Sequence, residues 1–170
     1  MNEFVHRLQL DQIRGGDRID INAKAGELAA IANRLRLLSL DRLDAHAVLT
    51  RDGERVKATG RLKASLSQAC VATGDPVAEH VDEAFSLSFV PAPTAEEELE
   101  LDADQLDTIF HDGASIDLGT AIADTLALAI DPYPRSAKAD AALREAGVLS
   151  EEEAGPFAVL AALKAKMSGD

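Results

Sequence analysis

The run Arg55-Val56-Lys57-Ala58-Thr59-Gly60-Arg61-Leu62-Lys63-Ala64-Ser65-Leu66-Ser67 alternates without a break, with odd positions polar or basic and even positions apolar or small. A period of two over this length belongs to a strand with one buried and one wet face. Upstream, Leu43, Ala45, Ala47 and Leu49 alternate with Arg42, Asp44, His46, Val48 and Thr50. Asp52-Gly53 lies between the runs and favours a two-residue hairpin turn. With those two as the loop, Arg51 faces Glu54, Leu49 faces Val56, Ala47 faces Ala58, Ala45 faces Gly60 and Leu43 faces Leu62. A slip of one residue would turn the apolar set outward. The wet face then carries Arg42, Arg55, Lys57, Arg61 and Lys63 against one acid, Asp44. It is a basic patch in a chain whose net charge is -13.

The charge is unevenly spread. Residues 1–91 hold 12 Lys and Arg against 13 Asp and Glu, whereas residues 92–170 hold 5 against 17. Such asymmetry suggests two surfaces with different electrostatic partners. With 4% aromatic residues and no Trp, the core must be built from Leu, Ala, Val and Ile. No apolar run approaches a membrane span, and the first residues lack the pattern of a signal peptide. One cysteine, Cys70, allows neither an internal disulfide nor a cysteine-based metal cluster. A soluble, cytoplasmic protein without membrane contact is the simplest expectation.

Taken in order, Phe4 to Leu10 reads as a strand and Asp17 to Ala23 as a second, joined to the first by a hairpin at Gly15-Gly16. A helix is expected from Ala25 to Leu38, with Leu28, Ile31, Ala32, Leu35 and Leu38 on one stripe. The central hairpin follows, then a loop over Cys70 to Pro76 and a third long strand over Val77 to Val90, antiparallel to residues 62–69. The segment 94–106 is acidic and poor in large apolar residues, so it reads as a mobile linker. A short strand is expected between Asp107 and Ile116, with a turn at Asp112-Gly113. Asp117 then caps a helix to Ile130 bearing Leu118, Ile122, Leu126 and Ala129 on one side. Residues 135–150 are weakly helical, and Ser150-Glu151-Glu152-Glu153 opens a last helix. The fold class is α+β: an antiparallel β-sheet or partly open barrel packed with helices, plus a helical C-terminal part. The expected division is residues 1–91, an acidic linker 92–107, and residues 108–170.

Catalytic and cofactor motifs are missing: there is no P-loop, GxGxxG, HExxH or GxSxG. His6, His46, His80 and His111 form no spaced ligand pair. Cys70 with His46 or His80 would in principle make a nucleophile and base, and a small apolar residue at a strand end explains Cys70 better. No catalytic residue, metal ligand or cofactor site is therefore assigned. Strand residues at every second position set charges ~7 Å apart, near the phosphate spacing of a single nucleic-acid strand. Aromatic residues for base stacking are absent from this patch.

Several segments together resemble the bacterial YceD family of large ribosomal RNA subunit accumulation proteins. Gln68-Ala69-Cys70-Val71-Ala72-Thr73-Gly74-Asp75-Pro76-Val77 is similar to its signature, a CxxC-like element before a Pro-Val pair and a strand. Ser115-Ile116-Asp117-Leu118-Gly119 with Leu126 to Pro134 resembles a second block, and Phe157 to Lys164 the terminal helix. Thr73 stands where many relatives carry a second cysteine, and no cysteine follows Pro134, so Cys70 inherits no metal role. The resemblance implies a non-enzymatic ribosome-biogenesis factor supporting accumulation or processing of large-subunit ribosomal RNA. Arg42, Arg55, Lys57, Arg61 and Lys63 are its candidate RNA contacts. The alternative is an acidic protein-interaction module that escorts a basic ribosomal protein without touching RNA.

Overall fold

The structure is a computed structural model and describes residues 4–93, 107–148 and 158–167. The expected linker 94–106 and the expected helix opening at Ser150 lie outside the described residues. The fold is α+β, built on an open five-stranded sheet and a two-stranded one. The strands are β1 (Arg7–Gln9), β2 (Asp17–Asn22), β3 (Ser39–Asp52), β4 (Arg55–Ala69), β5 (Pro76–Pro91), β6 (Thr108–His111) and β7 (Ser115–Asp117). The helices are α1 (Ala25–Arg34), α2 (Leu118–Ala129), α3 (Ala139–Glu145) and α4 (Ala158–Met167). Among the described residues no helix is long and apolar enough to cross a membrane. Two compact units divide the chain, one drawn from residues 1–68 and 78–132, the other from 69–77 and 133–170.

The large sheet, ordered β2-β3-β4-β5-β6, lies in the first unit apart from the ends of β4 and β5 at residues 69–77. Long strands form where the sequence alternates, because each places one apolar face on the core. Leu43, Ala45, Ala47, Leu49, Val56, Ala58, Leu62 and Ala64 are all buried there, as the alternation predicts. The register differs from the expected one by two residues. Asp52 pairs with Arg55, Leu49 with Ala58, Ala47 with Gly60, Ala45 with Leu62 and Leu43 with Ala64. A two-residue shift keeps every side chain on its face and changes only its partner.

Two physical reasons favour this register. The loop becomes Gly53-Glu54, and Gly53 at φ 60° takes the first central position while Glu54 keeps a negative φ, the type II′ pattern. Asp52 thereby avoids the left-handed backbone that the Asp52-Gly53 loop would impose on it. Leu49, Leu62 and Leu43 each also gain a small partner in Ala58, Ala45 and Ala64, whereas the expected register sets Leu49 on Val56 and Leu43 on Leu62. Gly60 is needed at this crossing: a Cβ there would stand 1.8 Å from the His46 carbonyl oxygen and 2.9 Å from Ala47 Cα.

The first two strands do not form the expected hairpin. β1 pairs antiparallel with β7, Leu8 facing Ile116, while β2 pairs with β3, Ile21 facing Ala45. The short strand expected after Asp107 is two strands, and β6 runs parallel to β5, making the main sheet mixed. Sequence pattern identifies a strand but carries no record of its partner across a hundred residues.

Helix α1 stops earlier than expected. Arg36 takes φ 56°, Leu37 N–H reaches the Ala32 carbonyl (2.8 Å) and Arg36 N–H that of Asn33 (3.2 Å). These two bonds make a Schellman motif with Arg36 in the place glycine prefers. Leu37 is thereby buried and Leu38 exposed. Helix α2 follows the expectation. Asp117 caps it by accepting from Thr120 N–H (3.2 Å) and also accepts from His6 N–H (3.0 Å). Leu118, Ile122 and Leu126 are fully buried in the core they share with β3, β4 and β5.

Two substitutions measure these constraints. Gly60→Ala should lower unfolding stability by about 3 kcal/mol, since only backbone movement relieves the overlap. Arg36→Gly should raise it by about 1 kcal/mol by removing left-handed strain. Urea midpoints read both, and an unchanged Gly60→Ala midpoint contradicts the tight crossing.

Candidate nucleic-acid interface

The hairpin β3–β4 brings all five sequence-predicted cations to one exposed face. Arg42, Arg55, Lys57, Arg61 and Lys63 are each solvent-exposed, while Leu43, Val56, Ala58, Leu62 and Ala64 of opposite parity are buried. β2 adds Arg18, which faces Val48. The face is less one-signed than the sequence suggests. Asp20 and Asp52 occupy the same side, paired with His46 and Arg55. From β5, Asp82 reaches Arg61, and Lys63 at 3.8 Å. Arg42 is held by Asp44. The hydrogen bond from Arg61, reinforced by the charges of Arg61 and Lys63, holds the Asp82 carboxyl below its ordinary 3.8.

Three of the five cations are therefore engaged locally. Exposed pairs of this kind contribute ~0–1 kcal/mol and exchange readily with other anions. Among the described residues, no ion pair within 4.0 Å holds Arg18, Arg55 or Lys57. The unneutralised charge thus concentrates toward the hairpin tip. There His111, buried, accepts at Nδ1 from Gly113 N–H (3.0 Å) and donates from Nε2 to the Glu54 carbonyl (2.8 Å). The two bonds select the Nε2–H tautomer and fasten the tip to the β6–β7 turn. In that turn Asp112 accepts from Ala114 and Ser115 N–H, which pulls its carboxyl below the ordinary value.

Other sites offer less. A cleft of about 400 Å³ between α1 and α2 is lined by Phe4, Ile31, Asn33, Arg34, Thr120 and Ala123, among others. Its one charge, Arg34, pairs with Asp124 at 3.2 Å, and no nucleophile–base pair lines it.

In the second unit, the turn after β4 closes through Cys70 N–H to the Asp75 carbonyl (2.7 Å) and Gly74 N–H to the Cys70 carbonyl (2.8 Å). Val71 N–H reaches the Pro134 carbonyl (2.9 Å), and the buried Cys70 Sγ accepts from Ser136 N–H (3.3 Å). Thr73 Oγ1 lies 3.3 Å from Ser136 Oγ. The two sequence blocks around Cys70 and Pro134 are thus joined in space. Neither His46 nor His80 is a hydrogen-bond partner of Cys70; His80 Nδ1 lies 3.1 Å from Ser65 Oγ. One sulfur and two mutually bonded hydroxyls are also not a zinc-ligand set, which calls for thiolate or imidazole donors. No group of three or more His, Cys, Asp or Glu side chains that could hold a metal occurs among the described residues.

The Ser136 N–H, followed by the Thr73 and Ser136 hydroxyls, lowers the Cys70 thiol from 9.0 to about 6. Between those values the folded chain holds a thiolate and the unfolded chain a thiol, so unfolding takes up a proton. The stabilisation is complete above pH 9 and is lost as pH falls through about 6. Thiolate absorbance of the native protein should titrate near pH 6, and Cys70→Ala should flatten the pH dependence of stability between 6 and 9. Titration near the ordinary value would contradict these bonds.

The comparisons with known proteins bear on the whole arrangement. Searches of curated proteins and of solved structures each return no significant match. The profile described as "Large ribosomal RNA subunit accumulation protein YceD" matches residues 58–164, which takes in most of β4, the Cys70 turn, β5 to β7, α2 and α3. With well over half its length matched, the chain belongs to the YceD family, whose name implies a role in the accumulation of large-subunit ribosomal RNA.

Proposed function

We propose that this protein is a non-enzymatic ribosome-biogenesis factor that binds large-subunit ribosomal RNA, or its precursor, through the wet face of β3 and β4. One observation carries this reading: five cations from two strands share an exposed face, and Arg55 and Lys57 at its tip have no ion pair within 4.0 Å among the described residues. Each phosphate that replaces a counterion contributes a salt-dependent increment of affinity. Residues 92–170 hold 5 cations against 17 carboxylates, so most of the chain's cations that could meet phosphate lie in its first half. Arg61, Lys63 and Arg42 exchange Asp82 and Asp44 for phosphate at little cost, because the pairs are exposed. The cytoplasm is the compartment where this role is exercised.

That same acidic half favours a second reading, in which the protein escorts a basic ribosomal protein and makes no RNA contact. Pull-down with and without nuclease separates the two. A partner retained after nuclease, with no RNA recovered before it, supports the escort and rejects the RNA face.

In direct binding assays, the double variant Arg55→Ser and Lys57→Ser should lose more affinity than Arg61→Ser and Lys63→Ser. Its log-affinity against log-salt slope should fall by about 1.4 for a single strand, two contacts at ~0.7 each. Asp82→Asn, which releases Arg61 and Lys63, should tighten binding. Equal affinity across the wild type and all three variants would remove the face from consideration.

A further inference from the structure

The geometry points to Phe110 as a base-stacking platform beside Arg55 and Lys57, which makes unpaired, single-stranded segments the form of RNA this face takes. The inference rests on the reading that the face contacts RNA, and it specifies which part of the face does so and what it selects.

Phe110 is far from the β3–β4 hairpin in sequence, yet the sheet returns it there. β6 lies beside β5 with Val90 opposite Phe110 and Phe89 opposite Ile109. Phe89 and His111 are buried and Ile109 packs on the core, so strand alternation directs Phe110 to the opposite, wet side. It is 47% exposed there, a large aromatic surface left in water.

Its position along the face follows from two independent contacts. Ser65 meets His80 across β4 and β5, and the same antiparallel spacing carried along the strands sets Arg55 opposite Val90 and Lys57 opposite Ser88. The His111–Glu54 bond agrees, because His111 pairs with Pro91 and touches the residue before Arg55. Arg55, Val90 and Phe110 therefore form one row across three strands, about 10 Å between its ends. Between the cations and the ring β5 contributes Val90, half-buried, with Ser88 and Ser86 following it along the same face. Asp82, which neutralises Arg61 and Lys63, sits toward the other end of β5. Asp52 is the cross-strand partner of Arg55, and no ion pair joins them.

Cations at one end of such a row and an exposed ring at the other are the two components of single-strand recognition. The backbone tracks Arg55 and Lys57 while a base lies on Phe110. A duplex keeps its bases stacked internally and offers no free base surface, so it gains only the phosphate contribution.

The test compares the full chain with Phe110→Ala, Phe110→Trp and the Arg55→Ser, Lys57→Ser double variant. Each is titrated with a short unpaired RNA oligonucleotide and with a duplex of the same length. Phe110→Ala should weaken single-strand binding about ten-fold, within the range for one stacked base, and leave duplex binding unchanged. Phe110→Trp should bind like wild type with its fluorescence quenched, and the signal is unambiguous because the chain has no other Trp. If Phe110→Ala binds the single strand like wild type while the double variant loses it, stacking is overturned and the phosphate contacts stand. If the wild type binds neither RNA, the RNA reading itself falls.

Discussion

The close crossing of Gly60 over the His46 carbonyl is the constraint from which the main sheet is built. With no Cβ at that point, β3 and β4 approach closely enough for their buried residues to mesh large against small. The same crossing sets which polar residues stand side by side on the wet face. His46 faces Arg61, Asp44 faces Lys63 and Thr50 faces Lys57. Core packing and surface charge are thus two consequences of one register.

Around that hairpin the fold divides its work. The buried face meets α2 and the partly buried side of α1, whose apolar residues complete the core. On the wet face Arg42, Arg55, Lys57, Arg61 and Lys63 are exposed. His111 joins the two sides, since its ring is buried while its bonds hold the exposed hairpin tip against the β6–β7 turn.

The Cys70 region solves a different problem. The turn after β4 and the segment through Ser136 meet through backbone hydrogen bonds and one thiol, without a metal-ligand set. Small hydroxyl side chains fit this role because Thr73 and Ser136 can donate and accept at once. In the thiolate form Cys70 is an acceptor only, matched to the Ser136 N–H that faces it. These bonds hold the turn after β4 to the segment through Ser136.

Period-two alternation was enough to place the long strands, to separate wet from buried residues, and to gather five cations on one face, because side-chain direction in a strand depends only on local geometry. Asp117 likewise announced its helix, since a cap acts over three residues. Partners joined by short turns were legible, β3 with β4 and β4 with β5, but distant ones were not. β1 found β7 and β6 ran parallel beside β5, pairings set by burial over long separations rather than by neighbours in the chain. The hairpin register turned on backbone contact at Gly60 and on φ at Gly53, which alternation alone leaves undetermined to within two residues. For the same reason the exposed Phe110 and the neutralising Asp82 belonged to the patch only once the sheet was assembled: a surface is a property of adjacent strands, and adjacency is decided in three dimensions.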